Sequence, residues 1–220
     1  MNSLIEERLL QIQRDIAPCK PNIIAVTKYF ETQATVDAYN AGLRDFAEAR
    51  INEAIEKINS LPEVVRENSK FHFIGHLQSN KVNKVVKFFD FIHSVDSLNL
   101  AEKISKSAVE QGKIQKIFLE VNFAEEINKY GYSEKLLYDE FPEIIKLGNL
   151  EIMGLMSMAP LGADEKFLYE LYSKVISVQK DLSQKYSIRL DETSMGMSQD
   201  YIIAAKCGST QLRIGRKLFT

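Results

Sequence analysis

Asn22-Ile23-Ile24-Ala25-Val26-Thr27-Lys28-Tyr29-Phe30 is the stretch that separates the fold classes open to this chain. Its apolar, β-branched run reads as a buried strand. In an open doubly wound sheet, the first strand would feed a glycine-rich phosphate loop. Here it runs into Thr27-Lys28-Tyr29-Phe30, with no glycine. Seven more strand candidates follow, so the full set is 22–27, 44–47, 70–74, 91–95, 117–121, 150–155, 192–194 and 211–214. Helical patterns lie between them, such as Ile51/Ile55/Ile58, Val82/Val85/Val86/Phe89 and Phe167/Leu171/Val175/Val178/Leu182. Gly42, Gly112, Gly148 and Gly208 stand where such helices should end. Strands alternating with helices imply right-handed crossovers and a parallel sheet. Eight units closing on themselves make a single (β/α)₈ TIM barrel over residues 1–220. An extra N-terminal helix precedes it, with Leu9, Ile12 and Ile16 on one face and a Ser3/Glu6 capping box.

Composition narrows the function. The 220 residues are 45% apolar and 26% charged, as in ordinary globular proteins. Twenty-eight Lys plus Arg against thirty Asp plus Glu leave a net charge of −2. There is no global positive field for a nucleic acid or an anionic membrane. No apolar run approaches the ~20 residues that span a bilayer, and Glu6, Glu7 and Arg8 stand where a signal peptide would be apolar. Cys19 and Cys207 are far apart and in no metal-ligand spacing. A cytoplasmic protein with no metal is expected. His72 and His76 are four residues apart but on a strand end, without the helix and glutamate of a zinc protease. Lys81, Lys84 and Lys87 read as a solvated helix face, with an anionic partner or a docking surface for an enzyme that accepts a cofactor as the alternative.

In such a barrel the site lies at the C-terminal ends of the strands, with phosphate often held after strands seven and eight. Strand one ends at Lys28, strand three at Gly75-His76-Leu77-Gln78-Ser79-Asn80 and strand six at Gly154-Leu155-Met156. Strand seven leads into Ser194-Met195-Gly196-Met197-Ser198, and strand eight into Arg213-Ile214-Gly215. Closure makes strands one and eight neighbours, so Lys28, the serine–glycine segment 194–198 and the Arg213 segment are expected to surround one pocket. Burial favours the neutral amine that a lysine needs to form a Schiff base. Serine hydroxyls and backbone N–H groups near Gly196 and Gly215 suit a phosphate, with Ser198 as N-cap of a helix starting near Gln199. Singly, Lys28 also reads as a solvated strand end and the serine–glycine segment as a helix cap. Their joint placement suits a ligand carrying a carbonyl and a phosphate.

The segments Ile24-Ala25-Val26-Thr27-Lys28, 71–81, Gly154-Leu155-Met156, 194–198 and Arg213-Ile214-Gly215, in this order, resemble the pyridoxal phosphate homeostasis proteins. These are relatives of the barrel domain of alanine racemase, and the pieces span nearly the full length. The resemblance implies a pyridoxal 5′-phosphate (PLP) site in which Lys28 forms the Schiff base. It also implies that Ser194, Gly196, Ser198 and backbone near Gly215 hold the phosphate, and that Arg213 faces the pyridine nitrogen. Met156 and His76 are expected at the pocket wall and rim. An arginine keeps its proton, so the ring would be a weaker electron sink than one facing a carboxylate.

The expected function is intracellular buffering or delivery of PLP, with no catalytic residue, little or no turnover and PLP-dependent apo-enzymes as recipients. A monomer is expected. The alternatives are a racemase-like PLP enzyme and, without any cofactor, a Schiff-base aldolase for a sugar phosphate. The racemases carry a further β domain and a second acid/base group. This chain ends shortly past Gly215, so that domain is expected to be absent, and only Tyr29 and Tyr132 offer themselves as the second group. One segment departs from the family: Phe46-Ala47-Glu48-Ala49 stands where Phe-Gly-Glu-Asn is usual. Loss of that asparagine is expected to remove a polar contact to the ring.

Overall fold

The computed structural model describes residues 2–124 and 130–220, the side chains of Asn2 and Ser3 excepted. Eight strands form a closed barrel in chain order: β1 Asn22–Val26, β2 Asp45–Glu48, β3 Lys70–Phe73, β4 Phe91–Val95, β5 Gln115–Val121, β6 Leu150–Ser157, β7 Glu192–Ser194 and β8 Gln211–Ile214. All neighbours are parallel, and β8 closes onto β1 through Asn22↔Gln211 to Ala25↔Ile214. The expected TIM barrel is therefore the fold, with the N-terminal helix Asn2–Asp15 ahead of it.

Alternate strand residues face opposite sides of the sheet, and the apolar ones sort accordingly. Ile23, Ala25, Phe46, Phe73, Leu119, Leu155 and Leu212 belong to the main core between sheet and helices. Ile24, Val26 and Ala47 pack with Ile74 in a small second cluster, and Phe91, Phe118 and Met156 in a third. The barrel interior is thus not wholly apolar. The rings of His72 and His93, both buried, stack on Phe91 at 4.4 Å and on Phe118 at 4.3 Å.

The N-terminal helix is tied to the other end of the chain by Arg8, which donates to the carbonyls of Leu218 (3.2 Å) and Thr220 (3.0 Å). Local details differ from expectation. That helix begins at Asn2, so Ser3 falls inside its first turn rather than before it, and its side chain is outside the described residues. Asn149, not Gly148, takes the left-handed conformation after helix Glu134–Ile144, a position asparagine tolerates. Glu125, Glu126 and Lys129, which read in the sequence as a charged loop with a turn at Gly131, lie outside the described residues.

Candidate functional site

A cavity of about 560 Å³ opens at the C-terminal ends of the strands. Lys28, Met156, Ser198, Arg213 and Gly215 all line it, so strands one, six and eight and the loop after strand seven meet as expected. Val26, Ile74 and Met158 add apolar wall. This size and this balance of apolar wall with few polar groups suit a small organic ligand.

Lys28 is partly exposed, and its Nζ lies 5.1 Å from the centre of the Tyr29 ring. The residue before it is firmly anchored. The Thr27 hydroxyl donates to Glu48 Oε1 at 2.7 Å, and Lys57 Nζ donates to both Glu48 Oε1 and the Thr27 carbonyl at 2.7 Å. Glu48 is buried, and Lys57 keeps only 13% of its side chain exposed. This clamp was not read from the sequence. Glu48, directly after the apolar Phe46-Ala47 pair at the end of strand two, was the available signal.

Two expected phosphate ligands are placed elsewhere. Ser194 is fully buried within β7 and lies outside the cavity wall; its Oγ is 2.6 Å from Arg213 Nη1 and 2.9 Å from His93 Nδ1. Its place is beneath Arg213, as support. Gly196 is also buried and off the cavity wall. A Cβ there would lie 2.6 Å from Ala204 Cβ, and its φ of +89° turns the loop, so glycine is the residue that fits. Ser198 does line the cavity but caps nothing in the helix Tyr201–Lys206, where Asp200 precedes the first turn. Instead its Oγ accepts from the N–H groups of Gly215 (3.3 Å) and Lys217 (3.2 Å). With both lone pairs so engaged, its hydroxyl proton is left for another acceptor.

His76 stands beyond the lining residues, stacked on Tyr130 at 3.6 Å and 3.8 Å from Asp96. The Ala49 carbonyl carbon and oxygen pack where a Cβ on Gly75 would sit. Of the two tyrosines, Tyr132 is fully buried and donates to Glu140 Oε2 at 2.9 Å, with its phenol pushed strongly up by burial and by that carboxylate. Tyr29 lines the cavity and is 71% exposed. Among the described residues no group of three His, Cys, Asp or Glu is placed to hold a metal.

Arg213 is buried, and its guanidinium donates to the Ser194 carbonyl (2.6 Å), Ser194 Oγ (2.6 Å) and the Ser157 carbonyl (3.0 Å). Behind it, His93 Nε2 lies 2.9 Å from His72 Nδ1, and His72 Nε2 lies 2.9 Å from Asp45 Oδ1. Burial holds His72 below the ordinary imidazole value, partly offset by Asp45. Burial also drives His93 well below it, with His72 and Arg213 adding to the effect.

This has a consequence for stability. Unfolded imidazoles take up a proton near pH 6.5, whereas these two resist it when folded. Below that pH the unfolded state binds more protons, so stability falls as pH falls and is level above about pH 7.5. At about pH 5.5 His93, which burial drives well below the ordinary value, should forfeit on the order of 1 kcal/mol, and His72 adds a loss in the same direction. Urea midpoints at the two pH values check this: the drop should shrink in His93→Asn, and an unchanged drop would contradict it.

The alanine racemase N-terminal domain model matches residues 3–220 of the chain. A pyridoxal phosphate homeostasis protein of Synechocystis is 40% identical over 205 residues, covering 92% of each chain. The structure of PipY from Synechococcus elongatus with PLP bound superposes with a TM-score of 0.89 at 37% identity, covering 98% of this chain and 100% of that one. An alanine racemase of Clostridium difficile, at 15% identity, shares the barrel with a TM-score of 0.80 over 99% of this chain and 56% of that one.

Proposed function

Because the chain belongs to the pyridoxal phosphate homeostasis proteins, within the alanine racemase N-terminal domain family, we propose that it binds PLP in the cavity as a Schiff base on Lys28. One observation carries the reading: an amine, a guanidinium and a serine hydroxyl with a proton to give line the same cavity. PLP is a flat apolar ring with an aldehyde, a basic nitrogen and a phosphate, and the lining matches each part. Lys28 supplies the amine, and Arg213 faces the ring nitrogen. Ser198 and the backbone near Gly215 take the phosphate, while Met156, Val26 and Ile74 flank the ring.

Bound PLP supplies an electrophilic carbon for amines and a ring that accepts electron density. The chain's residues favour holding over turnover. Arg213 keeps its proton and lends none to the ring nitrogen. Two-base proton transfer needs a group on each face of the substrate; Tyr132 spends its hydroxyl on Glu140, which leaves Tyr29, on the cavity wall, as the second group that the racemase-like alternative would have to use. The protein acts as a cytoplasmic, monomeric reservoir that buffers PLP or passes it to PLP-dependent apo-enzymes. Among the described residues no helix is long and apolar enough to cross a membrane.

Spectral titration with PLP tests this. The wild type should develop a visible band at one equivalent, and Lys28→Ala should lose it. Ser198→Ala should keep the band with affinity reduced roughly tenfold, the worth of one hydrogen bond to a charged group. An undiminished band in Lys28→Ala would overturn the assignment. Rapid Lys28-dependent exchange of an amino acid's α-proton would favour the racemase-like alternative.

A further inference from the structure

We propose that Asp45, at the end of the barrel opposite the cavity, is a positioning residue for Arg213, acting through a one-directional chain of hydrogen bonds across the barrel interior. The chain is Arg213–Ser194–His93–His72–Asp45, with links of 2.6, 2.9, 2.9 and 2.9 Å. It deepens the reading of the cavity as a PLP site and rests on that reading only for its effect on the cofactor.

Direction follows from the two ends. Arginine can only donate and an ionised carboxylate can only accept, while a neutral imidazole has one N–H and one lone pair. Burial pushes the Asp45 carboxyl up, but the hydrogen bond and charge of His72 outweigh this, and it lies below its usual value. Asp45 then accepts from His72 Nε2–H, leaving His72 Nδ1 to accept from His93 Nε2–H. His93 Nδ1 accepts the Ser194 hydroxyl proton, and Ser194 Oγ accepts from Arg213. Every donor meets an acceptor, and both histidines carry the proton on Nε2.

The arrangement answers an electrostatic need. The acceptors of the buried Arg213 guanidinium are two carbonyls and a hydroxyl, all neutral. A buried charge is costly without a counter-charge or strong hydrogen bonds. Tyr172, Asp200 and Glu120 also act on Arg213, while Asp90 and Lys70 act on His72. Asp45 is the anion joined to Arg213 by the polarised chain, and such chains strengthen their members cooperatively. With three of the five guanidinium N–H groups held in this way, the remaining two keep a fixed aim.

Asparagine at position 45 can present either a carbonyl oxygen or an amide nitrogen to His72, so the carboxylate's command of direction is lost. Nitrogen-15 NMR of the histidines, on protein without added cofactor, reads the tautomers directly. The wild type should show His72 and His93 neutral with the proton on Nε2. Asp45→Asn should move both towards the Nδ1–H tautomer. His93 does not touch Asp45, so its response separates a transmitted effect from local damage. A wild-type histidine protonated on Nδ1, or a His93 signal unmoved by Asp45→Asn, would overturn the chain, and the wild-type spectrum decides even if the variant fails to fold.

With PLP bound, removing this negative charge should disfavour the protonated chromophore and lower the pH midpoint of its visible band by a few tenths of a unit. Glu151→Gln removes an exposed carboxylate at the start of β6, paired with Lys116, and should leave the midpoint in place. A midpoint equally unmoved in both variants would refute transmission to the cofactor. Absence of any PLP band in the wild type would instead refute the cofactor reading, with the tautomer spectra still deciding the chain.

Discussion

Gly154→Ala is expected to leave no folded protein at ordinary temperature. A Cβ at this position would lie 1.7 Å from the Glu192 carbonyl oxygen and 2.7 Å from Gln179 Oε1. Neither can yield. Gly154 pairs with Glu192 across the β6–β7 ladder. Gln179 is buried, accepts from the Leu155 N–H at 2.8 Å and donates to the Leu190 carbonyl at 3.0 Å. Relief requires parting two strands of a closed barrel, at a cost above about 4 kcal/mol. Total stabilities are only about 5–15 kcal/mol. Gly42→Ala is the control: φ is +97° there, but nothing lies within 4 Å of the added Cβ, so about 1 kcal/mol is expected. Far-UV circular dichroism and urea midpoints compare the two, and a well-folded Gly154→Ala would contradict the close approach.

Glu48→Ala should cost about 3 kcal/mol, because it strands a buried ammonium and a buried hydroxyl together. Lys57 would lose its carboxylate, and Thr27 Oγ1 its acceptor. The same change frees the backbone just before Lys28, so PLP affinity should fall along with stability. Lys57→Met on the Glu48→Ala background should recover part of the stability, since it removes the uncompensated charge. Urea denaturation of the two singles and the double gives the coupling. Additive losses would mean that the two side chains do not act as a pair.

The strand order was legible because most strands carry a short apolar or β-branched run set between helical patterns, as in Ile23-Ile24-Ala25-Val26, where neighbours enter different clusters. Strand ends were harder. β6 runs to Ser157 because Leu155, Met156 and Ser157 continue the pairing with β5, and glycine at 154 did not end it. Lys28, Met156, Ser198, Arg213 and Gly215 were legible as residues at or just past strand ends, where closure brings them together. Ser194 was misplaced because Ser194-Met195-Gly196-Met197-Ser198 reads as one phosphate loop. In fact Ser194 still pairs within the sheet with Met156 and Gln211, inside the barrel. Ser198 was assigned to the wrong partner, since Asp200 accepts from the Met197 N–H and stands before the next helix. The chain from Asp45 to Arg213 left no local signature: His93 meets Ser194 101 residues later, and only the closed barrel juxtaposes them.

The central claim is that Lys28 carries the cofactor. Borohydride reduction of the protein mixed with PLP, followed by peptide mapping by mass spectrometry, tests it most directly. The account predicts one reduced phosphopyridoxyl group per chain, on the peptide containing Lys28. Label scattered over surface lysines, or concentrated on any residue outside the cavity, would contradict it.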